Sequence, residues 1–234
     1  MNDTLVRAWL LHRRSYRDSS ALVDLLLVGR GLTRAVARGV FSGKSRLAQT
    51  LQPFCPLAVS LGGHGELATL IKAETDGPPL LLKGEALLCG FYLNELLVRL
   101  LGPDDECDAL LAAYAEALAW LERSPGQAQQ ALRPFEQVLL AHLGYELDWR
   151  HDGHGVPVVA DLLYHFVPAE GWLAGGRPGR AVPGASLLAL AQPANEAWFA
   201  AARAVFRAML DALLGGKPLQ SRALLLHQRK RMKE

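Results

Sequence analysis

Cysteine is scarce in this chain of 234 residues. The three present (Cys55, Cys89 and Cys107) are odd in number and widely separated, which argues against a disulfide framework and fits a reducing compartment. Long apolar runs are missing too: the longest, 86–101, is broken by Gly90, Asn94, Glu95 and Arg99, and so falls short of the roughly 20 apolar residues a membrane span needs. The opening MNDTLVRAWLLHRR sets an acid before a short apolar stretch and offers no small-residue cleavage site, so no secretory leader is expected. Catalytic signatures are absent as well, with no P-loop, no GxSxG and no GxGxxG at a strand-to-helix junction. Aromatic residues make up only 7% of the chain. Disorder is excluded as a global description, because half the residues are hydrophobic and the net charge is only +2.

That small net charge conceals a strong segregation. Residues 1–50 carry nine basic side chains against three acidic ones, a net +6, and residues 203–234 are again +6. The acidic middle is −10. Basic ends of this kind are a physical argument for polyanion binding and say nothing about fold.

The pattern of residues predicts an α+β protein. Segments 5–12, 21–28, 32–40, 54–61 and 66–75 carry β-branched or aliphatic residues and are bounded by turn signals at 15–20, 29–31, 39–43, Pro53 and Gly62-Gly63. In Arg34-Ala35-Val36-Ala37-Arg38, long basic and small apolar side chains alternate, so both arginines project from one face of a strand and both alanines from the other. A short helical segment, 45–52, with Leu47 and Leu51 at helical spacing, separates the third strand from the fourth. Five strands with a helix in that place follow the order of an OB-fold, a small barrel used for oligonucleotides and oligosaccharides, and another five-stranded barrel remains the alternative.

Pro78-Pro79 marks the expected boundary between a barrel domain, 1–79, and a helical domain, 80–234. Helices are predicted over 84–101, with Glu95 and Arg99 as an exposed ion pair, and over 106–123, capped by Asp104 or Asp105. Further helices are predicted over 131–143 and 195–214, and a last one from about Pro218 that dissolves into a basic tail. Between them, about 145–193, lies a Gly- and Pro-rich region that reads as small hairpins.

Candidate sites separate by residue type. Gly62-Gly63-His64-Gly65 reads as a hairpin turn. Asp104, Asp105, Glu106 and Asp108 sit at a helix start, where capping explains them better than a metal does. His151, Asp152, His154 and His165 form the best metal candidate, set against a solvated loop; with no cysteine after Cys107, a four-cysteine zinc site there is excluded. Arg30, Arg34, Arg38, Lys44 and Arg46 fall within 17 residues with no acid among them. A solvated face normally mixes signs, so this cluster favours phosphate binding. Tyr16, Phe41 and Phe54, after Trp9, are the only aromatics nearby, so binding would lean on charge more than on stacking. Arg229-Lys230-Arg231-Met232-Lys233 reads either as a nucleic-acid arm or as a solubilising tail.

The stretch AWLLHRRSYRDSSALVDLLLVGRGLTRAVARGVFSGKSRLAQTLQPF closely resembles the opening of the RecO family of bacterial recombination and repair proteins. GELATLIKAE, LLCGFYLNELLVRLL, FEQVLLAHLGYELDW, YHFVPAEGWL and LGGKPLQSRALL resemble further blocks of that family, in its order. The resemblance implies an N-terminal OB-fold followed by a helical domain, acting without catalysis in the cytoplasm, at the nucleoid. It implies binding of single- and double-stranded DNA, annealing of complementary strands and, together with RecR, help in loading RecA onto DNA coated by single-stranded DNA-binding protein. The C-terminal tail of that coating protein is a further implied partner, taken by an apolar pocket with a nearby cation on the helical domain. By the same resemblance Arg30, Arg34, Arg38, Lys44 and Arg46 map to the DNA face, with Arg13, Arg14 and Arg17 as neighbours in that domain. Some members hold zinc on four cysteines in the region equivalent to 145–175; this chain lacks them, so no cofactor is expected. The competing readings are an interaction adaptor without strong DNA binding of its own, and a metal enzyme built on His151, His154 and His165.

Overall fold

The computed structural model describes residues 4–42, 45–63, 67–103, 105–146, 148–176 and 181–231, the last three as backbone only. Strands β1 (Val6–Tyr16), β2 (Ser20–Leu27), β3 (Gly31–Ala37), β4 (Pro56–Gly62) and β5 (Ala68–Thr75) close into a barrel in the order β1-β2-β3-β5-β4. β4 returns antiparallel to β1, and β3 meets β5 in parallel over a short stretch. A short helix, α1 (Arg46–Thr50), lies between β3 and β4. The OB arrangement is therefore borne out.

Alternation along the strands fills the barrel. Val23, Leu25, Ala35, Ala37, Leu57 and Val59 are fully buried inside it, and Leu51, just after α1, joins the same core. Complete burial of a leucine or valine contributes about 1.5–3 kcal/mol over leaving it exposed.

β1 runs four residues further than the pattern predicts, because Arg13 to Tyr16 keep pairing with β2 as far as Ser20, and it contains a bulge. Leu10 pairs with Leu25 and His12 with Asp24, which leaves Leu11 as the extra residue. A bulge leaves backbone groups outside the ladder, and here the Leu11 carbonyl accepts a bond from Asn94 Nδ2 at 2.8 Å. Asn94 belongs to α2 (Gly84–Leu100), and its Oδ1 accepts from the hydroxyl of Tyr114 on α3 (Asp108–Arg123) at 2.7 Å. Trp9 meets the Tyr114 ring edge-on, with centroids 5.6 Å apart. The helices thus pack on the outer face of the first half of β1, where Trp9 and Leu11 are buried. Phe54 adopts a left-handed backbone, φ 59°, and lays its ring where a Cβ on Gly90 of α2 would come within 2.8 Å of it.

The chain divides into two compact units, residues 1–128 with 219–234, and residues 129–218. The second contains nearly all of α4 (Ala128–His142), the strands β6 (Leu163–Val167), β7 (Gly171–Ala174) and β8 (Val182–Pro183), and the helices α5 (Gly184–Leu190) and α6 (Glu196–Leu213). The expected hairpin region is realised as a sheet of order β7-β6-β8. Its helix α5 is too short and too closely flanked by Gly and Pro to show a period in the sequence. α6 follows its apolar stripe and is capped by Asn195, whose Oδ1 accepts from Trp198 N at 3.0 Å.

The last helix, α7 (Gln220–Arg231), returns to the first unit and packs on α2. The expected exposed pair of Glu95 and Arg99 is corrected here. Arg99 does lie 3.7 Å from Glu95, but both side chains are largely buried. Glu95 accepts from Gln220 N and Ser221 N at 2.9 Å each and from Ser221 Oγ at 2.6 Å, so it caps α7 from another helix. The basic run does not dissolve into a tail at once, since the helix continues through Arg231. No helix among the described residues is long and apolar enough to cross a membrane.

Burial alone would raise the Glu95 carboxyl, but the Ser221 hydroxyl, the two backbone N–H groups and the Arg99 charge outweigh it and hold it below the ordinary carboxylate range. A carboxyl lowered by folding stabilises fully above its unfolded value and stops doing so as pH falls through its folded one. Glu95→Ala is therefore expected to lower stability by about 1–2 kcal/mol at neutral pH, the size of a lost helix cap. Urea unfolding at successively lower pH should show this difference from the unsubstituted protein shrinking.

Candidate nucleic-acid interface

The bulge at Leu11 decides which side chains of β1 reach the barrel's outer face. After it, His12 stands opposite Asp24, which stands opposite Arg34 of β3; in the next row Arg14 faces Leu22, which faces Val36. Tyr16 lies opposite Ser20 at the end of β1. Basic side chains of β1 and β3 thus flank β2, which contributes Asp24 and, with Val36 of β3, the half-buried Leu22.

Within β3 the alternation holds, with Arg34 exposed and Ala35 and Ala37 fully buried, but the strand ends at Ala37, so Arg38 is exposed in the turn that follows and not on the strand as expected. Arg34 Nε donates to Asp24 Oδ1 at 2.7 Å, and His12 Nδ1 lies 3.5 Å from Asp24 Oδ2. Arg14 and Arg17 are exposed on β1 and in the turn after it, and Arg46 at the start of α1. The Arg17 guanidinium sits 5.1 Å from the centre of the Tyr16 ring. Arg30 is half-buried in the β2–β3 turn, a tight docking point. There Gly29 N donates to Asp108 Oδ1 at 2.8 Å, and a Cβ on Gly31 (φ +72°) would fall 1.8 Å from the Asp105 carbonyl oxygen.

Several candidates take other places. Arg13 faces the barrel side, opposite Val23, and its Nη1 donates to the carbonyls of Ala48 and Leu51 at 3.3 and 3.1 Å. It closes the C-terminal end of α1, where free carbonyls and the helix dipole favour a cation. Trp9 and Phe54 are buried, leaving exposed Phe41 and half-buried Tyr16 as the aromatics beside the cations. Lys44, His64 and Asp104 lie outside the described residues, as do Met232 and Lys233; Arg229, Lys230 and Arg231 lie in α7, with side chains outside the description.

The expected cap of α3 is corrected. Its N-cap is Cys107, which makes no side-chain capping bond, while Asp108 is engaged with the β2–β3 turn. Burial, and then the charges of Asp105 and Asp108, push the Cys107 thiol up to about 11, which keeps it protonated and unreactive at neutral pH.

The histidine group is dispersed into loop hydrogen bonds. His151 Nδ1 bonds Asp148 Oδ2 at 2.7 Å, Asp152 Oδ1 accepts from His154 N and Val156 N, and His165 Nδ1 lies 3.3 Å from the Gly175 carbonyl. The bonds from His151 and from Arg150 N hold Asp148 below the usual carboxylate range. Among the described residues no three of His, Cys, Asp and Glu gather to hold a metal ion. These residues do not fit a zinc site.

Asp24 and His12 escape a reading based on basic clusters. The one signal for Asp24 is an acid at an outward position inside the apolar run ALVDLLL.

A closed five-stranded OB-type barrel joined to a helical region, with exposed arginines on β1 and β3 and in the turns beside them, defines a two-part architecture with a place in known proteins. The model for the N-terminal part of recombination protein O matches residues 1–78, and the model for its C-terminal part matches residues 81–223. The chain is 42% identical over 231 residues to the DNA repair protein RecO of Nitrosococcus oceani, covering 96% of this chain and 94% of that one. It is 41% identical over 228 residues to the namesake of Marinobacter nauticus, covering 94% and 93%. Against that of Serratia proteamaculans it is 40% identical over 228 residues, covering 93% and 91%. The chain belongs to the RecO family.

The two neighbouring arginines of β1 should separate by assay. Arg13→Ala is expected to lower stability by about 1.5–3 kcal/mol, the range for hydrogen bonds from a charged group. Exposed Arg14→Ala should stay within about 0.5 kcal/mol of the unsubstituted protein. Denaturant midpoints measure both.

Proposed function

We propose that this protein is a DNA-repair and recombination mediator that works by binding, without catalytic turnover. The observation that carries the reading is the outer face of β1–β3, where Arg14 and Arg34 are exposed and Arg17, Arg38 and Arg46, in the turns and the short helix beside it, extend the same sign of charge. Its relatives are named DNA repair proteins.

The mechanism is electrostatic. Two complementary strands repel each other through their phosphates, and a surface that neutralises phosphates on both lowers the barrier to pairing. Guanidinium groups suit this because each presents several donors to phosphate oxygens in a planar fork. Half-buried Leu22, Val36 and Tyr16 give the bases limited apolar surface, so affinity is set by charge and tolerates any sequence. On this reading the protein binds single- and double-stranded DNA, anneals complementary strands and, with RecR, helps RecA load onto DNA coated by single-stranded DNA-binding protein. The tail of the coating protein recruits it there, in the cytoplasm.

Arg34→Ala combined with Arg38→Ala tests the reading. Each lost phosphate contact should flatten the log–log salt dependence of single-strand affinity by about 0.7. Annealing of coated complementary oligonucleotides should slow in parallel. An unchanged affinity and slope would show that the face is not the DNA site, and tail-peptide binding without DNA binding would point to the adaptor role instead.

A further inference from the structure

An acid stands in the middle of the cationic face. Coulomb's law alone says that Asp24 weakens the binding of any polyanion there. Its placement says otherwise. The Asp24 side chain is only 7% exposed, while its two partners, Arg34 and His12, are 47% and 55% exposed. One carboxylate oxygen accepts from Arg34 Nε at 2.7 Å, and the other lies 3.5 Å from His12 Nδ1. All three sit directly across from one another on β1, β2 and β3, so the backbone register alone brings them together.

We propose that Asp24 is a positioning residue, whose buried carboxylate holds Arg34 by its Nε edge so that the other edges of the guanidinium are presented to a phosphate. The proposal rests on the reading of the β1–β3 face as the phosphate-binding surface. A guanidinium carries five N–H donors in a planar fork, and the bond to Asp24 needs only the one on Nε. A free arginine loses much rotamer freedom when it clamps a phosphate, and one already held loses less. A carboxylate this buried is costly to leave unpaired, so the contact persists before and after DNA binds. Burial keeps the acid beneath the surface that the phosphates approach, and the Arg34 guanidinium stands above it.

The test measures anisotropy of a labelled oligothymidylate across a salt series, with the active fraction of each protein fixed by stoichiometric titration so that misfolding is not read as weak binding. Asp24→Ala is expected to weaken binding about fivefold although it removes a negative charge, a coupling of ordinary size for contacting residues. Arg34→Lys keeps the charge but loses the fork, and is expected to weaken binding to a similar degree. In the Arg34→Ala background, Asp24→Ala should no longer weaken binding and should tighten it. Tighter binding by Asp24→Ala alone, or unchanged binding by Arg34→Lys, would overturn the proposal while leaving the DNA face intact. Arg34→Ala with unaltered affinity would overturn the proposal, and only Arg34→Ala combined with Arg38→Ala at unaltered affinity would overturn the face reading as well. Should Asp24→Ala fail to fold, Asp24→Asn, which keeps the side chain's shape and removes its charge, takes its place: weaker binding supports the proposal and tighter binding overturns it.

Discussion

One irregularity in one strand organises the first unit of this protein. Because side chains alternate with a period of two, a single extra residue reverses the face of everything that follows it. Leu11 is that residue. Before it, Leu10 points into the barrel and Trp9 outward to the helices; after it, Arg13 turns to the barrel side to close α1, while His12 and Arg14 turn outward beside β2 and β3. The backbone group the bulge leaves over becomes an attachment point, through Asn94 and then Tyr114. Both are almost fully buried, so their bonds form in a medium where an unmade one is expensive. The device that aims the cations is thus the one that fastens α2 and α3 to the barrel.

The acidic middle of the chain finds a partial explanation in backbone chemistry. Glu95 receives the first N–H groups of α7, Asp108 that of Gly29, and Glu122 that of Leu81 at 2.6 Å. In the second unit Asp148 and Asp152 do the same within their loop. Carboxylates are strong acceptors for N–H groups that lack a partner, and several of these stand at helix ends or in tight turns, where such groups collect. These acids knit loops and helix ends together, and the excess negative charge of the middle is in part the by-product of that work.

What could be read from the sequence is what depends on neighbours along the chain. The five strands, α1 with its Leu47 and Leu51, the stripe of α6 and the opposite facing of Arg34 and Ala35 all follow from local period. What could not be read depends on partners far away. Glu95 looks like half of an exposed i,i+4 pair until Ser221, 126 residues on, arrives to be capped. Arg13 looks equivalent to Arg14 unless the bulge is known, and a bulge has no signature in LLHRR. Phe54 looks available for stacking, but its left-handed backbone folds the ring onto Gly90. The basic cluster was legible as a cluster, whereas the carboxylate that bonds Arg34 was hidden by its own sign.

On the proposed reading the outer face of β1–β3 is the surface that meets DNA, and charge has the leading part. Photo-cross-linking of the intact protein to a single-stranded oligonucleotide carrying photoreactive bases, with the cross-linked peptides mapped by mass spectrometry, tests that claim most directly. Adducts are expected within residues 12–46, around Tyr16 and Phe41, and should fade as salt is raised. Adducts confined to residues 129–218, or insensitive to salt, would contradict the reading.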